Sequence, residues 1–134
     1  MKTRQIDNKE YVFCEWRRKF VRLTPEEWVR QTFLTRLMTD YGYPKEKIAV
    51  EVFLDGKRAD AVVYGEALQP LMIIEFKAET VALTQKTLDQ ASVYNRQLHV
   101  PYLILHNGPT SIIAQIEPEF VFLKDIPQWT LLSN

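Results

Sequence analysis

The apolar run at residues 71–74, Leu-Met-Ile-Ile, and the three residues after it constrain the fold of this chain most strongly. Such a run, following a loop-like stretch, predicts a buried β-strand. The strand continues into Glu75, Phe76 and Lys77, so an acid and a base stand where packing favours apolar side chains. Because side chains alternate along a strand, Glu75 and Lys77 share one face. This pattern is typical of a metal-dependent phosphodiesterase site, although an isolated E-x-K triplet is also the pattern of an exposed ion pair.

Length and composition predict one globular domain over residues 1–134, with residues 1–23 as an N-terminal extension that contains a short hairpin. No apolar run is long enough to span a bilayer, and the first ten residues are polar. We therefore expect a cytoplasmic protein without membrane contact. The single cysteine, Cys14, excludes an internal disulfide, and with only two histidines a zinc site is not expected.

The formal net charge is zero, which argues against a protein that grips a long duplex through its overall field. The basic residues are nevertheless clustered, near the first helix and beside a predicted turn. Solvated surface is the simplest interpretation of each cluster. If nucleic acid binds, these residues are the expected phosphate contacts. They are Arg17, Arg18, Lys19, Arg22, Arg30, Lys57 and Arg58.

The pattern of turn residues and apolar periodicity predicts the order α-β-β-β-α-β-β after the N-terminal hairpin. Thr24 is a good N-cap, Pro25 suits the first helical position, and Glu27 three residues after the cap predicts a capping box. Asp55-Gly56 and Asn107-Gly108 predict tight hairpin turns. The expected strands are 11–15, 19–23, 48–54, 57–64, 71–77, 101–106 and 111–116, and the expected helices run from Thr24 to about residue 41 and over residues 84–98.

A second acid is expected opposite Glu75. If Tyr64 pairs with Leu71, Asp60 faces Glu75 across the ladder. Two facing carboxylates repel each other unless a cation or a proton relieves the repulsion. The alternative is that Asp60 ends its strand or pairs with Arg58.

Asp60, separated by fourteen residues from Glu75-x-Lys77 on the next strand, resembles the PD-(D/E)XK nuclease core. The wider pattern resembles the N-terminal nuclease domain of type I restriction enzyme R subunits, and in particular its short stand-alone forms. The resemblance covers residues 11–127, and its motifs lie at 24–31, 42–44, 57–60, 75–78, 84–86, 89–90, 94–95, 100–102 and 107–108. It implies a restriction-endonuclease-like α/β fold, in which helices flank a central mixed sheet.

The resemblance also implies roles for individual residues. Asp60 and Glu75 match the metal-binding acids, the backbone carbonyl of Phe76 is a further ligand, and Lys77 matches the catalytic lysine. Gln90 and Tyr94 match a Q-x-x-x-Y element beside the site, and their spacing places them on one helical face. The alternatives are a surface amide for Gln90 and a core aromatic for Tyr94.

The first helix of the family supplies another acid. Glu26 is favoured over Glu27, since the capping box already accounts for Glu27, and Glu26 matches an E-x-x-x-R pattern with Arg30. Two features depart from the family. Ala59 replaces the proline before Asp60, and no helicase motor follows in the sequence given.

The implied activity is Mg²⁺-dependent hydrolysis of DNA, with Mn²⁺ as a substitute, because every candidate ligand is an oxygen. Arg30, Lys57, Arg58 and Tyr94 are the expected nucleic-acid contacts. Further expected partners are restriction or repair subunits and a second copy of the chain. The alternatives are a binding or assembly module that needs a partner to cut, and a metal-free structural domain.

Overall fold

Two β-sheets and three helices make up residues 1–132, the part of the chain that the computed structural model describes. The strands are β1 Thr3–Ile6, β2 Lys9–Cys14, β3 Lys19–Arg22, β4 Ile48–Leu54, β5 Lys57–Tyr64, β6 Pro70–Phe76, β7 Tyr102–His106, β8 Ser111–Gln115 and β9 Val121–Phe122. The helices are α1 Pro25–Tyr41, α2 Gln85–Leu98 and α3 Trp129–Leu132, and a 3₁₀ turn spans Lys45–Lys47. β1–β3 form an antiparallel sheet. β4–β9 form a six-stranded sheet in sequential order, in which the β6–β7 pair is parallel. The predicted class, a mixed sheet flanked by helices, is confirmed.

Helix α1 begins and ends where its capping residues predict. The Thr24 side chain accepts a hydrogen bond from the Glu27 backbone N–H at 3.1 Å. Gly42 ends the helix in the left-handed conformation, with φ of 73°. The predicted capping box is wrong in its other half, because the Glu27 side chain turns away from Thr24 and binds Arg17, Arg30 and Gln31.

The central hairpin and the crossover that follows it bring β5, β6 and α2 together. Asp55 and Gly56 both have positive φ, 51° and 79°, as a tight two-residue turn requires. β6 then lies antiparallel to β5 and parallel to β7, and α2 makes the crossover between the two parallel strands.

The six-stranded sheet buries apolar side chains on both faces, as a central sheet covered by helices must. Phe33, Leu34 and Leu37 of α1 pack on one face, against Met72 and Ile74 of β6. On the opposite face, Ile73 of β6 belongs to a second apolar cluster, which includes Tyr94 of α2. The β6 residues that point toward α2 therefore include positions 73 and 75.

The structure differs from the sequence prediction mainly at the two ends of the chain. β1, β9 and α3 were not predicted. β6 begins one residue earlier than predicted, at Pro70, and ends at Phe76, so Lys77 lies just beyond the strand. No helix among residues 1–132 has the length and apolar character needed to cross a membrane.

Candidate nuclease site

The ladder between β5 and β6 ends at the two acids that the sequence singled out. Its last pair before this point is Ala61 with Ile74, and continuing that register brings Asp60 level with Glu75. The expected pairing of Tyr64 with Leu71 is wrong, because the register shifts between Val63 and Tyr64 and Tyr64 pairs with Pro70. Here the Asp60 carboxylate replaces a backbone partner, because its Oδ2 accepts a hydrogen bond from the Phe76 N–H at 2.8 Å. Asp60 is therefore fixed against β6 at the position where β6 presents Glu75.

The Glu75 carboxyl group lies in a buried position beside Asp60. Burial raises the pKa of Glu75 first, and the neighbouring carboxyl group of Asp60 raises it further, to about 8. Lys77 and Lys57 lower this pKa but do not offset the first two causes. With this pKa, Glu75 is largely protonated near neutral pH, and its proton relieves the repulsion between the facing carboxyl groups.

A cavity of about 180 Å³ opens between the β4–β5 turn, the end of β6 and the exposed side of α2. Glu75, Lys77 and Gln90 line it, so the structure brings these predicted site residues together. Leu105 of β7 is its apolar wall. The remaining lining residues are Lys57, Arg58, Thr87, Ala91 and Tyr94.

A second cavity, of about 270 Å³, lies on the other side of Arg58. Asp60, Glu26 and Arg30 line it together with Arg58, which thus borders both cavities. The other lining residues are Thr24, Glu27 and Phe76. Every residue that the sequence assigned to the site lines one of these two adjoining cavities.

The two glutamates at the start of α1 have different surroundings. Glu26 is exposed, whereas Glu27 is buried. Burial alone would raise the pKa of Glu27, but hydrogen bonds from Arg30, Arg17 and Gln31 hold it below the usual value. Glu27 therefore remains charged as the centre of an ion-pair network. The expectation that a capping box accounts for Glu27 is wrong, because its side chain does not bond to Thr24. The ion-pair partner of Arg30 is Glu27, not Glu26 as the E-x-x-x-R pattern suggested.

Glu51 is a member of the site region that the sequence analysis missed. It stands between the β4–β5 pairs Val50–Ala61 and Val52–Ala59, level with Asp60, and has a positive φ of 53°. Its carboxylate pairs with arginines from three separate segments, namely Arg17, Arg30 and Arg58. The signal was available, because Glu51 interrupts an apolar strand as Glu75 does.

These ion pairs determine which of the basic side chains that line the cavities have no acidic partner. Arg30 is committed to Glu27 at 2.6 Å and Arg58 to Glu51 at 2.9 Å. Within residues 1–132, Lys57 and Lys77 take part in no salt bridge. The two lysines are thus the cationic groups at the first cavity that are available to an anionic ligand.

Tyr94 supports the β4–β5 hairpin from beneath. Its hydroxyl lies 2.7 Å from the Leu54 carbonyl oxygen and 3.0 Å from that of Lys57. The side chain is 8% exposed, and the Lys57 ammonium lies 4.8 Å from the ring centroid. The core-aromatic alternative describes this position, and Lys57 above the ring is the group that solvent reaches. Gln90, one turn earlier, is exposed.

The order of these elements and their motifs can be compared with known proteins. The family model for the type I restriction enzyme R protein N terminus matches residues 25–127. This chain belongs to that family. The match includes every residue that lines the two cavities except Thr24, and the resemblance noted from residue 11 onward is confirmed from residue 25. A comparison with curated protein sequences gives no significant match.

The fold of this R-protein N-terminal domain also has a solved counterpart. It is a fragment of a protein assigned as the HsdR subunit of a type I restriction enzyme from Vibrio vulnificus YJ016. The two structures align with a TM-score of 0.61 at 19% identity, over 81% of this chain. The aligned region is 24% of the other chain, so this chain corresponds to about a quarter of that structure.

The R-protein domain offers an incomplete set of metal ligands, and this suits a magnesium ion. Among residues 1–132, no three His, Cys, Asp or Glu side chains converge as a metal site. Mg²⁺ does not need such a cluster, since it keeps several waters and is bound by one or two carboxylates. Asp60 and Glu75 supply two carboxylates, and a cation bound beside them would relieve the repulsion that raises the pKa of Glu75. The residues present therefore fit the ion.

Proposed function

We propose that this domain is a Mg²⁺-dependent nuclease of the PD-(D/E)XK type that hydrolyses phosphodiester bonds in DNA. The observation that carries the proposal is the Asp60–Glu75 pair of facing acids, which lies where the β5–β6 ladder ends. Lys77, which forms no salt bridge with any of residues 1–132, lines the same cavity as Glu75. A structural role alone does not explain why a sheet retains two facing acids and a lysine beside an open cavity.

Asp60 and Glu75 would hold the ion, together with the carbonyl of Phe76. When bound, the ion would acidify a coordinated water and offset charge on the scissile phosphate. The Lys77 ammonium would orient the attacking water and stabilise the negative charge that develops on the phosphate oxygens. Gln90 would hydrogen-bond the water or the phosphate from the opposite wall of the cavity. Glu26 would contribute an acid from the rim of the second cavity.

The test is calorimetric titration with Mn²⁺ followed by plasmid cleavage in Mg²⁺. We expect Lys77→Ala to lower cleavage at least about 100-fold while metal binding persists. Asp60→Ala should remove both. Glu66→Ala and Lys124→Ala, which change exposed residues outside the two cavities, are matched controls. Full Mg²⁺-dependent cleavage by the Asp60→Ala protein would refute the proposal.

A second candidate function is a nucleic-acid-binding or assembly module that cuts only when a partner subunit is present. The ion pairs favour it, because Arg30 and Arg58 are already neutralised by Glu27 and Glu51 and leave few cations to hold DNA at the cavities. Metal binding without cleavage by the isolated chain would support this module. Cytoplasmic location and association with other restriction subunits or a second copy belong to the same proposal.

A further inference from the structure

The N-terminal sheet has one face that the core does not cover. Side chains alternate along its strands, and Val12 and Cys14 of β2 point inward and are buried. The opposite face carries three aromatic rings, of which Phe13 and Phe20 are cross-strand partners and pack edge to face at 5.3 Å. Tyr11 is the third ring, and its partner across the ladder is Arg22. We refer to this as the outer face; its residues are Lys2, Arg4, Ile6, Lys9, Tyr11, Phe13, Phe20 and Arg22.

The rings of the outer face are covered by cations. The Arg4 guanidinium lies 4.2 Å from the centroid of Phe20, and Arg22 lies 5.8 Å from that of Tyr11. Lys2 lies 5.5 Å from Phe13. Arg18, from the β2–β3 turn, adds a further contact with Phe13, at 5.7 Å. These contacts hold long, flexible side chains in place before a ligand arrives.

The charge of the outer face has a single sign. Of the side chains that the strands within residues 2–22 place on it, none is acidic, and the three acids in this segment have other positions. Asp7 lies in the β1–β2 turn, at one end of the sheet. Glu10 lies on the opposite face of β2, and Glu15 pairs with Arg18 and Lys45. Although the net charge of the chain is zero, four basic side chains are concentrated on one face of this three-stranded sheet. They are Lys2, Arg4, Lys9 and Arg22.

We propose that the outer face binds DNA through its phosphate backbone, as a surface separate from the two cavities. Fixed guanidinium groups on a flat sheet suit a row of phosphates, and the contact requires no metal. The β2–β3 turn joins this sheet to the site region, because Arg17 pairs with both Glu27 and Glu51. The outer face thus supplies the positive charge that the neutralised arginines at the cavities do not.

The experiment measures the binding of a fluorescent duplex of about 20 base pairs by fluorescence anisotropy in EDTA, at salt concentrations between about 50 and 200 mM. For Arg4→Gln/Arg22→Gln we expect affinity to fall about tenfold, and the slope of log affinity against log salt to become shallower by about 1.8. The control Arg96→Gln/Lys124→Gln removes the same charge from exposed positions elsewhere and should stay within about twofold of the parent.

A charge-retaining variant, Arg4→Lys/Arg22→Lys, distinguishes two causes of weaker binding, namely the loss of phosphate contacts and a disturbed N-terminal sheet. It should keep the parent's salt slope, because the number of phosphates neutralised is unchanged. Equal losses in the glutamine variant and the control would overturn the proposal, as would an equal loss in the lysine variant or no binding by the parent chain. Since the measurement is made without metal, its failure leaves the nuclease proposal untouched, and failure of cleavage leaves this one untouched.

Discussion

The side chain of Glu75 is stabilised by a proton, because burial and the neighbouring Asp60 both disfavour a second negative charge. Its pKa is about 8 in the folded protein, against an ordinary value of 4.5. A group whose folded pKa is raised contributes stability that is complete below the unfolded pKa and is lost as pH rises through the folded one. In the domain without metal, the contribution of Glu75 to the free energy of unfolding thus decreases as pH rises above 4.5, and the decrease is complete above about pH 8.

Glu75→Gln removes this pH dependence. We expect the free energy of unfolding of the variant, relative to the parent, to increase by about 1–3 kcal/mol between about pH 5 and pH 9. Urea denaturation in EDTA at the two pH values measures the difference. Glu66→Gln, at an exposed position, should show no such change. A difference that is the same at both pH values would show that folding does not raise the pKa of Glu75.

Glu27 and Glu26 are adjacent, but substitution by glutamine should affect stability at Glu27 and cleavage at Glu26. Glu27→Gln leaves Arg17 and Arg30 without their buried partner, so we expect a loss of about 3 kcal/mol in unfolding free energy. Glu26→Gln should change stability by less than about 0.5 kcal/mol, since the side chain is exposed, while lowering cleavage if it serves the site. Thermal denaturation and a cleavage assay on both variants measure the two effects. A stable Glu27→Gln protein would contradict the proposed network.

At the scale of elements, the Tyr94 hydroxyl of α2 hydrogen-bonds the backbone on both sides of the β4–β5 turn. Tyr94→Phe keeps the ring but removes the hydrogen bond to the backbone of the turn. We expect a loss of about 1 kcal/mol and faster hydrogen exchange at residues 54–58. Tyr41→Phe, which removes an exposed hydrogen bond to Asp125, is the control and should have little effect. Unchanged exchange in the hairpin would show that the hydroxyl does not hold it.

The central elements could be predicted from sequence because each carries a local signal. Thr24 and Gly42 bound α1, and the Asp55-Gly56 turn fixes the β4–β5 pairing. β1 carried a weaker signal, since its strand is polar and fully exposed, and its turn at Asp7-Asn8 uses positive φ at two residues other than glycine. β9, with two residues, is too short for periodicity to show.

The site was predictable where polar residues interrupt apolar strands, as at Asp60 and Glu75. The same rule would have found Glu51. The role of Glu27 was not predictable, because its partner Arg17 lies in a turn of the other sheet, and this contact exists only after folding. A capping-box pattern and an ion-pair network look alike in sequence, so the choice between Glu26 and Glu27 could not be argued from spacing alone.

At the scale of the whole molecule, metal binding should be linked to both stability and protons. A ligand that binds only the folded state raises the unfolding free energy by about 2.7 kcal/mol at 100 times its dissociation constant. We expect Mg²⁺ to raise the melting temperature more at about pH 9 than at about pH 6, because at the lower pH the ion must displace the proton on Glu75, whose pKa is about 8.

Differential scanning fluorimetry at the two pH values measures this linkage, and calorimetry in buffers of different ionisation enthalpy measures the proton released. Asp60→Ala should abolish the Mg²⁺ effect, whereas Glu66→Ala should preserve it. A melting temperature that Mg²⁺ raises equally in the parent and in Asp60→Ala would place the ion elsewhere.

The pairing of β6 on both of its edges limits how the sequence of this domain can diverge. β6 is held antiparallel by β5 and parallel by β7, so a one-residue insertion or deletion within residues 71–76 would reverse every side chain after it. Glu75 would then point toward α1, and an apolar residue would face the cavity. The loop before β6, at residues 65–69, carries no such constraint. Among related sequences, length variation should therefore accumulate in that loop, and the interval from Leu71 to Lys77 should stay constant.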